Sequence, residues 1–319
     1  MTRVAILDDY QNVALEMADW KSLGPGVTVQ AFHDHLADQD VLAERLSDFE
    51  ILVVMRERTP LRAALIERLR NVKLVVTTGW RNASIDLKAA AERGVLVCGT
   101  EVVASSTVEL TWGLILAAAR QIPREDEGMR CGRWQTTVGT GLEGKTLGLL
   151  GLGNLGSRVA VIGRAFGMQV IAWSTNLTAE RCNSLGVERV EKEELFRRAD
   201  FLSVHLVLSS RSRGSVDAAE LAWMKPTAYF INTSRGPIVN EHALIAALAG
   251  RKIAGAALDV YDQEPLPADH PLRRLDNVVL TPHLGYVTLE NYRRMYAQAL
   301  EDIRGFLEGR PIRIISAAF

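Results

Sequence analysis

Three charged side chains stand in order after three apolar runs in the second half of this 319-residue sequence. Arg235 lies in Asn232-Thr233-Ser234-Arg235-Gly236, Glu264 in Gln263-Glu264-Pro265, and His283 in Thr281-Pro282-His283. The runs before them, near 228–232, 254–258 and 277–280, read as strands. In an open α/β sheet, ligands bind beyond the carboxyl ends of strands, so all three side chains are expected at one edge. Together they suit one reaction. Hydride addition to a ketone leaves negative charge on oxygen, and a histidine kept protonated and oriented by a glutamate can neutralise it. An arginine can pair bidentately with a substrate carboxylate and polarise the carbonyl. Any one of them alone reads as a solvated loop charge; the ordered set points to a site. His205, after another apolar run, reads as structural.

A hydride needs a carrier, and Gly151-Leu152-Gly153-Asn154-Leu155-Gly156 offers a place for one. A bare G-x-G-x-x-G is a weak signal. Here a strand (146–150) precedes it, an amphipathic helix (155–166) follows, and a second strand (168–173) completes a βαβ unit of about 30 residues. Gly151 permits the tight turn, Gly153 lets a pyrophosphate approach the backbone, and Gly156 allows close packing of helix on strand. The helix N-terminus then presents N–H donors and a favourable dipole to the phosphates. A methyltransferase-type nucleotide fold shares such a turn, which alone does not separate the two. The second strand runs into Ser174, Thr175 and Asn176 without an acid for the ribose hydroxyls. These residues can donate to a hydroxyl or to a 2′-phosphate, so NAD and NADP both remain open.

The elements that must position these groups alternate as strands and helices, which predicts an α/β fold with parallel sheets. Strands are expected near 3–7, 27–31, 51–55, 73–77 and 95–98, with Asp86 capping a helix over 87–93 that Gly94 ends. A long apolar helix over 102–120 is stopped by Pro123, and a polar, irregular stretch follows over 124–144. After the glycine turn, strands are expected near 169–173, 187–190, 201–204 and the three named above. The last helix, near 288–308, is long enough to rejoin the first part of the chain. Two crossings between domains predict a hinge with a cleft for a ligand.

In its order of motifs the sequence resembles the D-2-hydroxyacid dehydrogenase family, which includes phosphoglycerate dehydrogenase and glyoxylate/hydroxypyruvate reductases. The resemblance rests on the glycine turn, Asn-Thr-Ser-Arg-Gly-Pro-Ile-Val at 232–239, Asp-Val-Tyr-x-x-Glu-Pro at 259–265 and Thr-Pro-His at 281–283, and it covers essentially the whole chain. It implies two doubly wound parallel-sheet domains: a Rossmann dinucleotide-binding domain, 100–288, inserted in a flavodoxin-like substrate domain, 1–99 plus 289–319. It implies Arg235 as substrate anchor, His283 as acid/base and Glu264 as its partner, acting on a 2-keto acid or D-2-hydroxy acid with NAD or NADP. Around the cofactor it implies Thr107, Gly151, Gly153, Asn154, Leu155, Gly156, Ser174, Thr175, Asn176, Leu206, Thr233, Ser234, Arg235, Asp259, His283 and Gly285. It also implies a homodimer made largely by the long helix. The loop after the fourth strand, 77–86, supplies backbone N–H groups to the substrate carboxylate in the family. Here Thr78, Gly79 and Trp80 take that place, in a loop lacking the usual first glycine. Met55-Arg56-Glu57-Arg58-Thr59-Pro60 matches the family in its Thr-Pro and carries two additional arginines; Arg58 is expected to face the substrate and favour an anionic or larger one. Glu264 replaces the glutamine that formate dehydrogenases carry. A second reading is an NAD(H)-binding, corepressor-like regulator without significant turnover, against which the chain shows no appended tail or low-complexity arm.

Composition narrows the classes further. Lys and Arg number 37 against 38 Asp and Glu, which leaves no electrostatic footprint for nucleic acid or an acidic membrane surface. Three widely spaced cysteines, Cys98, Cys131 and Cys182, form no pair or metal-ligand spacing, so free thiols in a reducing cytoplasm and no metal site are expected. No stretch reaches the roughly 18 consecutive apolar residues of a membrane span.

Overall fold

The computed structural model describes residues 1–80 and 82–316. Arg81 of the expected carboxylate loop and residues 317–319 of the expected first domain lie outside the described residues. In chain order the elements are β1 (Thr2–Ile6), β2 (Val27–Ala31), α1 (Gln39–Leu46), β3 (Ile51–Val54), α2 (Ala63–Arg68), β4 (Leu74–Thr77), α3 (Leu87–Glu92) and β5 (Leu96–Gly99). There follow α4 (Ser105–Ala119), α5 (Ile122–Arg130), β6 (Thr146–Leu150), α6 (Asn154–Ala165), β7 (Gln169–Trp173), α7 (Ala179–Asn183), β8 (Glu188–Arg189) and α8 (Lys192–Arg198). The chain closes with β9 (Phe201–Val204), α9 (Ala218–Trp223), β10 (Tyr229–Asn232), α10 (Glu241–Ala249), β11 (Gly255–Leu258), β12 (Val278–Leu280) and α11 (Leu289–Leu307).

Two compact units result, Met1–Val103 with Val287–Phe319, and Ala104–Tyr286. The first holds a five-stranded parallel sheet in the order β2-β1-β3-β4-β5, the flavodoxin-like order. Its strands β3 and β4, Ile51-Leu52-Val53-Val54 and Leu74-Val75-Val76-Thr77, are buried along their whole length, as parallel strands covered on both faces must be. Asp86 caps α3 by accepting from Ala89 N, as its place before an apolar helix predicts. Helix α11 belongs to this unit: it buries Asn291, Tyr292, Met295, Tyr296, Ala299, Leu300 and Ile303 at helical spacing and packs on β4.

The second unit holds a seven-stranded parallel sheet in the order β12-β11-β10-β9-β6-β7-β8, a Rossmann arrangement. Alternate residues along its strands feed two separate apolar cores: Leu150, Ile171 and Phe230 on one face, Leu149, Ala172 and Ile231 on the other. The chain winds from β6 out to β8 and returns to β9 on the opposite side of β6. The strand order therefore reverses between β6 and β9, the place where such sheets bind ligands.

One expectation fails. The stretch after Pro123 is not irregular throughout, because α5 occupies Ile122–Arg130. Gln121 in a left-handed conformation breaks the chain between α4 and α5, and Pro123 falls in the first turn of α5, where a missing N–H costs nothing. The proline that reads as a stop in sequence is a start. Among the described residues, no helix is long and apolar enough to cross a membrane, and no cluster of His, Cys, Asp or Glu could hold a metal ion.

Candidate active site

The glycine turn connects β6 to α6 at the strand reversal. Gly151 is left-handed (φ 109°), and a Cβ there would stand 2.8 Å from the His205 carbonyl oxygen of the loop after β9. At Gly156 a Cβ would come within 2.2 Å of Gly151 O, so α6 starts as close to the strand as glycine alone allows. Gly153 faces open space: nothing lies within 4 Å of a Cβ placed there. It is also the N-cap of α6 and supplies no side-chain acceptor, so Asn154, Leu155 and Gly156 open the helix without a side-chain cap. Open space in front of an uncapped helix start fits a dinucleotide pyrophosphate. Beside it half-buried His205 meets Ser203 Oγ (2.9 Å), and desolvation pushes its imidazole down to about 4. It is a neutral structural residue.

Ser174 is half-buried and Thr175 and Asn176 are exposed just past β7. No acid stands at this strand end, which is compatible with either dinucleotide.

The three charged residues follow neighbouring strands. Because β10, β11 and β12 pair in register, Asn232 beside Leu258 and Leu258 beside Leu280, their carboxyl ends are level. After β10, Asn232 braces the Arg235 loop: its amide donates to Arg235 O (3.0 Å) and its oxygen accepts from Ser234 N (3.0 Å). Ser234 Oγ bonds Leu206 O of the loop after β9, and the Arg235 guanidinium donates to Ser234 O (2.7 Å). After β11, Glu264 turns back so that Oε1 accepts from Tyr261 N (3.0 Å) while Oε2 meets His283 Nδ1 at 2.5 Å. His283 is left-handed (φ 54°), a conformation that a non-glycine residue adopts at a cost and that recurs at functional sites. With Nδ1 turned to the carboxylate, Nε2 is bonded to no described residue. The Tyr286 ring meets the imidazole edge to face at 5.4 Å.

Asp259, expected at the cofactor, is wholly buried and committed to the His283 loop. It accepts from Thr281 Oγ1 (2.6 Å), Leu284 N (2.7 Å) and Gly285 N (2.9 Å). Burial pushes its carboxyl up, against the lowering effect of those donors and of His283. Thr107 Oγ1 donates to Gly285 O (2.9 Å), and Thr111 bonds Thr233 Oγ1 (2.8 Å). The start of α4 thereby ties the loops after β10 and β12 together. Tyr261 does the same for β11 and β12, its hydroxyl donating to Leu258 O and Thr281 O. Thr111 and Tyr261 are missing from the sequence-derived set. Tyr261 sits inside a quoted motif; Thr111 carries no sequence signal.

The remaining expected residues lie in the first unit. Arg58 Nη1 donates to Asp8 O (2.7 Å) and its guanidinium stacks on the Tyr10 ring at 4.4 Å. Thr78 accepts from Arg56 N (3.0 Å), Gly79 N donates to Thr100 Oγ1 (2.9 Å), and Trp80 is half-exposed.

A phosphate cradle at the strand reversal, with an acid-held imidazole and an arginine on the neighbouring strand ends, defines a dinucleotide-dependent oxidoreductase. Comparison with known proteins gives the family. The model of the D-isomer specific 2-hydroxyacid dehydrogenase NAD-binding domain matches residues 112–285. A glyoxylate reductase of Aeropyrum pernix is 41% identical over 256 residues, 77% of this chain and 76% of that enzyme. A D-3-phosphoglycerate dehydrogenase of Methanocaldococcus jannaschii is 38% identical over 85% of this chain and 52% of that longer protein. The crystal structure of a phosphoglycerate oxidoreductase from Vibrio cholerae O395 superposes with a TM-score of 0.92 at 39% identity, covering 97% of this chain and 100% of that one. The chain belongs to the D-isomer specific 2-hydroxyacid dehydrogenase family and is an oxidoreductase that uses NAD or NADP.

Proposed function

We propose that this enzyme reduces a 2-keto acid to a D-2-hydroxy acid, or runs the reverse, with His283 as acid/base, Glu264 as its partner and Arg235 as substrate anchor. The observation that carries this is the 2.5 Å contact of His283 Nδ1 with Glu264 Oε2, which leaves Nε2 to exchange a proton. The bound dinucleotide supplies or accepts the hydride at the substrate carbon. His283 Nε2 gives its proton to the carbonyl oxygen as that oxygen gains charge, and Glu264 steadies the imidazolium while Tyr261 N–H fixes the carboxylate. Arg235, on a loop braced by Asn232 and Ser234, pairs with the substrate carboxylate. In the reverse direction, Nε2 accepts the hydroxyl proton. The pyrophosphate rests on Gly151, Gly153, Asn154, Leu155 and Gly156. Thr233 and Ser234, with Asp259 holding Gly285 and Thr107 holding the same loop, shape the rest of the cofactor site.

To the first unit we assign substrate recognition: backbone N–H groups at 78–80 for the carboxylate, and Arg58 for a distal anionic group. The outer surface of 122–138 exposes Ile122, Met129, Trp134 and Val138, an apolar surface next to α4 that supports a homodimer. A test of the whole reading monitors NADH and NADPH oxidation with glyoxylate, hydroxypyruvate, pyruvate, phenylpyruvate and dicarboxylic 2-keto acids. Wild type turns over at least one of them, and His283→Ala loses most of that turnover while still binding dinucleotide. Undiminished turnover by His283→Ala would sink the assignment.

A further inference from the structure

Behind Glu264 stands a second acid–imidazole pair. Glu241, the first residue of α10, turns Oε1 to His270 Nε2 at 3.1 Å, and both side chains are largely buried, 16% and 15% exposed. His270 Nδ1 accepts from Leu272 N (3.3 Å), so Nε2 carries the proton and donates to the Glu241 carboxylate. Glu241 Oε2 accepts from Asp262 N (3.3 Å). Glu241 itself is held in place by Asn240, which caps α10 through Ala243 N.

The N–H that Glu241 takes belongs to the peptide joining Tyr261 to Asp262. The same peptide is pressed from another side by the Arg235 loop. A Cβ on Gly236 would stand 2.0 Å from Tyr261 C, 2.1 Å from Tyr261 O and 2.6 Å from Asp262 N. One peptide group is therefore held by Glu241 at its N–H and approached by Gly236 so closely that no side chain fits between them. The N–H immediately before it, Tyr261 N, is the donor that fixes Glu264 Oε1, whose other oxygen holds His283. The line of contacts runs unbroken from His270 to His283 Nδ1.

We propose that Glu241 and His270 are positioning residues for proton transfer, acting on His283 through the Tyr261–Asp262 peptide and Glu264. The inference rests on the acid/base reading of His283. Displacing a reacting group by a fraction of an ångström lowers turnover without touching dinucleotide contacts.

The test measures kcat, substrate KM, dinucleotide Kd and Tm for Glu241→Ala and His270→Ala, each alone and combined with Glu264→Gln. Glu241→Gln, which keeps side-chain size and one acceptor, stands in wherever the alanine variant does not fold. With Glu264 present, Glu241→Ala lowers kcat roughly tenfold and leaves dinucleotide Kd unchanged. In the Glu264→Gln background the same substitution changes kcat less than twofold, because the group through which it acts is already gone. Glu241→Gln falls between wild type and Glu241→Ala. An equal loss of kcat in both backgrounds, or no loss in either, overturns the proposal. If His283→Ala itself keeps full turnover, the acid/base reading has failed; if His283→Ala is inactive and the cycles show no coupling, only the positioning role has failed.

Discussion

The two parallel sheets end in loops that use acids in opposite ways. At the carboxyl edge of the five-stranded sheet, Asp8 and Asp9 are both buried and hold backbone and loops. Asp8 accepts from Thr59 Oγ1 (2.6 Å) and meets His35 Nδ1 at 2.9 Å, while Asp9 accepts from Val13 N and Ala14 N. At the edge of the seven-stranded sheet, Asp259 is spent in the same manner, but Glu264 holds an imidazole whose second nitrogen is hydrogen-bonded to no described residue. Each edge also carries a left-handed non-glycine residue, Asp8 at φ 58° and His283 at φ 54°. In Asp8 the unfavourable conformation serves a satisfied strut. In His283 it aims a group still able to exchange a proton. The carboxyl ends of the two sheets thus differ in which polar atoms are left over: Asp8 and Asp9 are spent on structure, whereas His283 keeps one ring nitrogen without a hydrogen bond among the described residues.

The contrast breaks most sharply at His283. His283→Ala should lower kcat for reduction about 10²–10⁴-fold while dinucleotide binding, read by fluorescence titration, persists. Arg235→Lys, which keeps charge but loses the planar fork, should lower kcat/KM for the preferred 2-keto acid by about 10–100-fold; steady-state kinetics giving wild-type values would remove the anchor role. On the other edge, Arg58→Ala should leave kcat near wild type and raise KM roughly tenfold, only for substrates with a distal anionic group. Equal KM changes for pyruvate and a dicarboxylic 2-keto acid would show that Arg58 reads no distal charge.

The smallest effect concerns stability, and belongs to the first unit alone. Asp302 on α11 is wholly buried beside Arg313 (2.9 Å), and burial pushes its carboxyl up to about 7 against the pull of that arginine. A carboxyl raised above its unfolded value of 3.8 favours the folded state while protonated. Its contribution is full below about pH 4 and is lost as pH rises through about 7. Denaturant titrations should therefore show a decline in stability between those limits in wild type, on the order of 1–3 kcal/mol. Asp302→Asn should flatten it. A decline of equal size in the variant assigns the pH dependence to other groups.

Much of this plan is legible in the residues. Runs such as Ile51-Leu52-Val53-Val54 have one stable use, a strand covered on both faces, and the expected strands fall within a residue or two of those observed. Asp86 names its helix start because a short acid before an apolar helix has backbone donors to satisfy. Pro123 misleads because one property, the missing N–H, serves both a stop and a first turn, and only the left-handed Gln121 before it selects the second. Arg58 was legible as a charge beside a strand end, but its stacking on Tyr10 and its bond to Asp8 O join residues about 50 positions apart.

By itself, the sequence determined the alternation that makes parallel sheets, the glycine turn between a strand and a helix, and which arginine, glutamate and histidine follow successive strands. Those follow from local physics: periodicity, backbone freedom and side-chain chemistry act within a few residues. The tertiary structure decided which polar atoms meet. Glu241 grips a peptide 21 residues away, and Thr111 reaches Thr233 across 122. Hydrogen bonding is directional over about 3 Å, and the packing of strands and helices alone fixes which groups come that close.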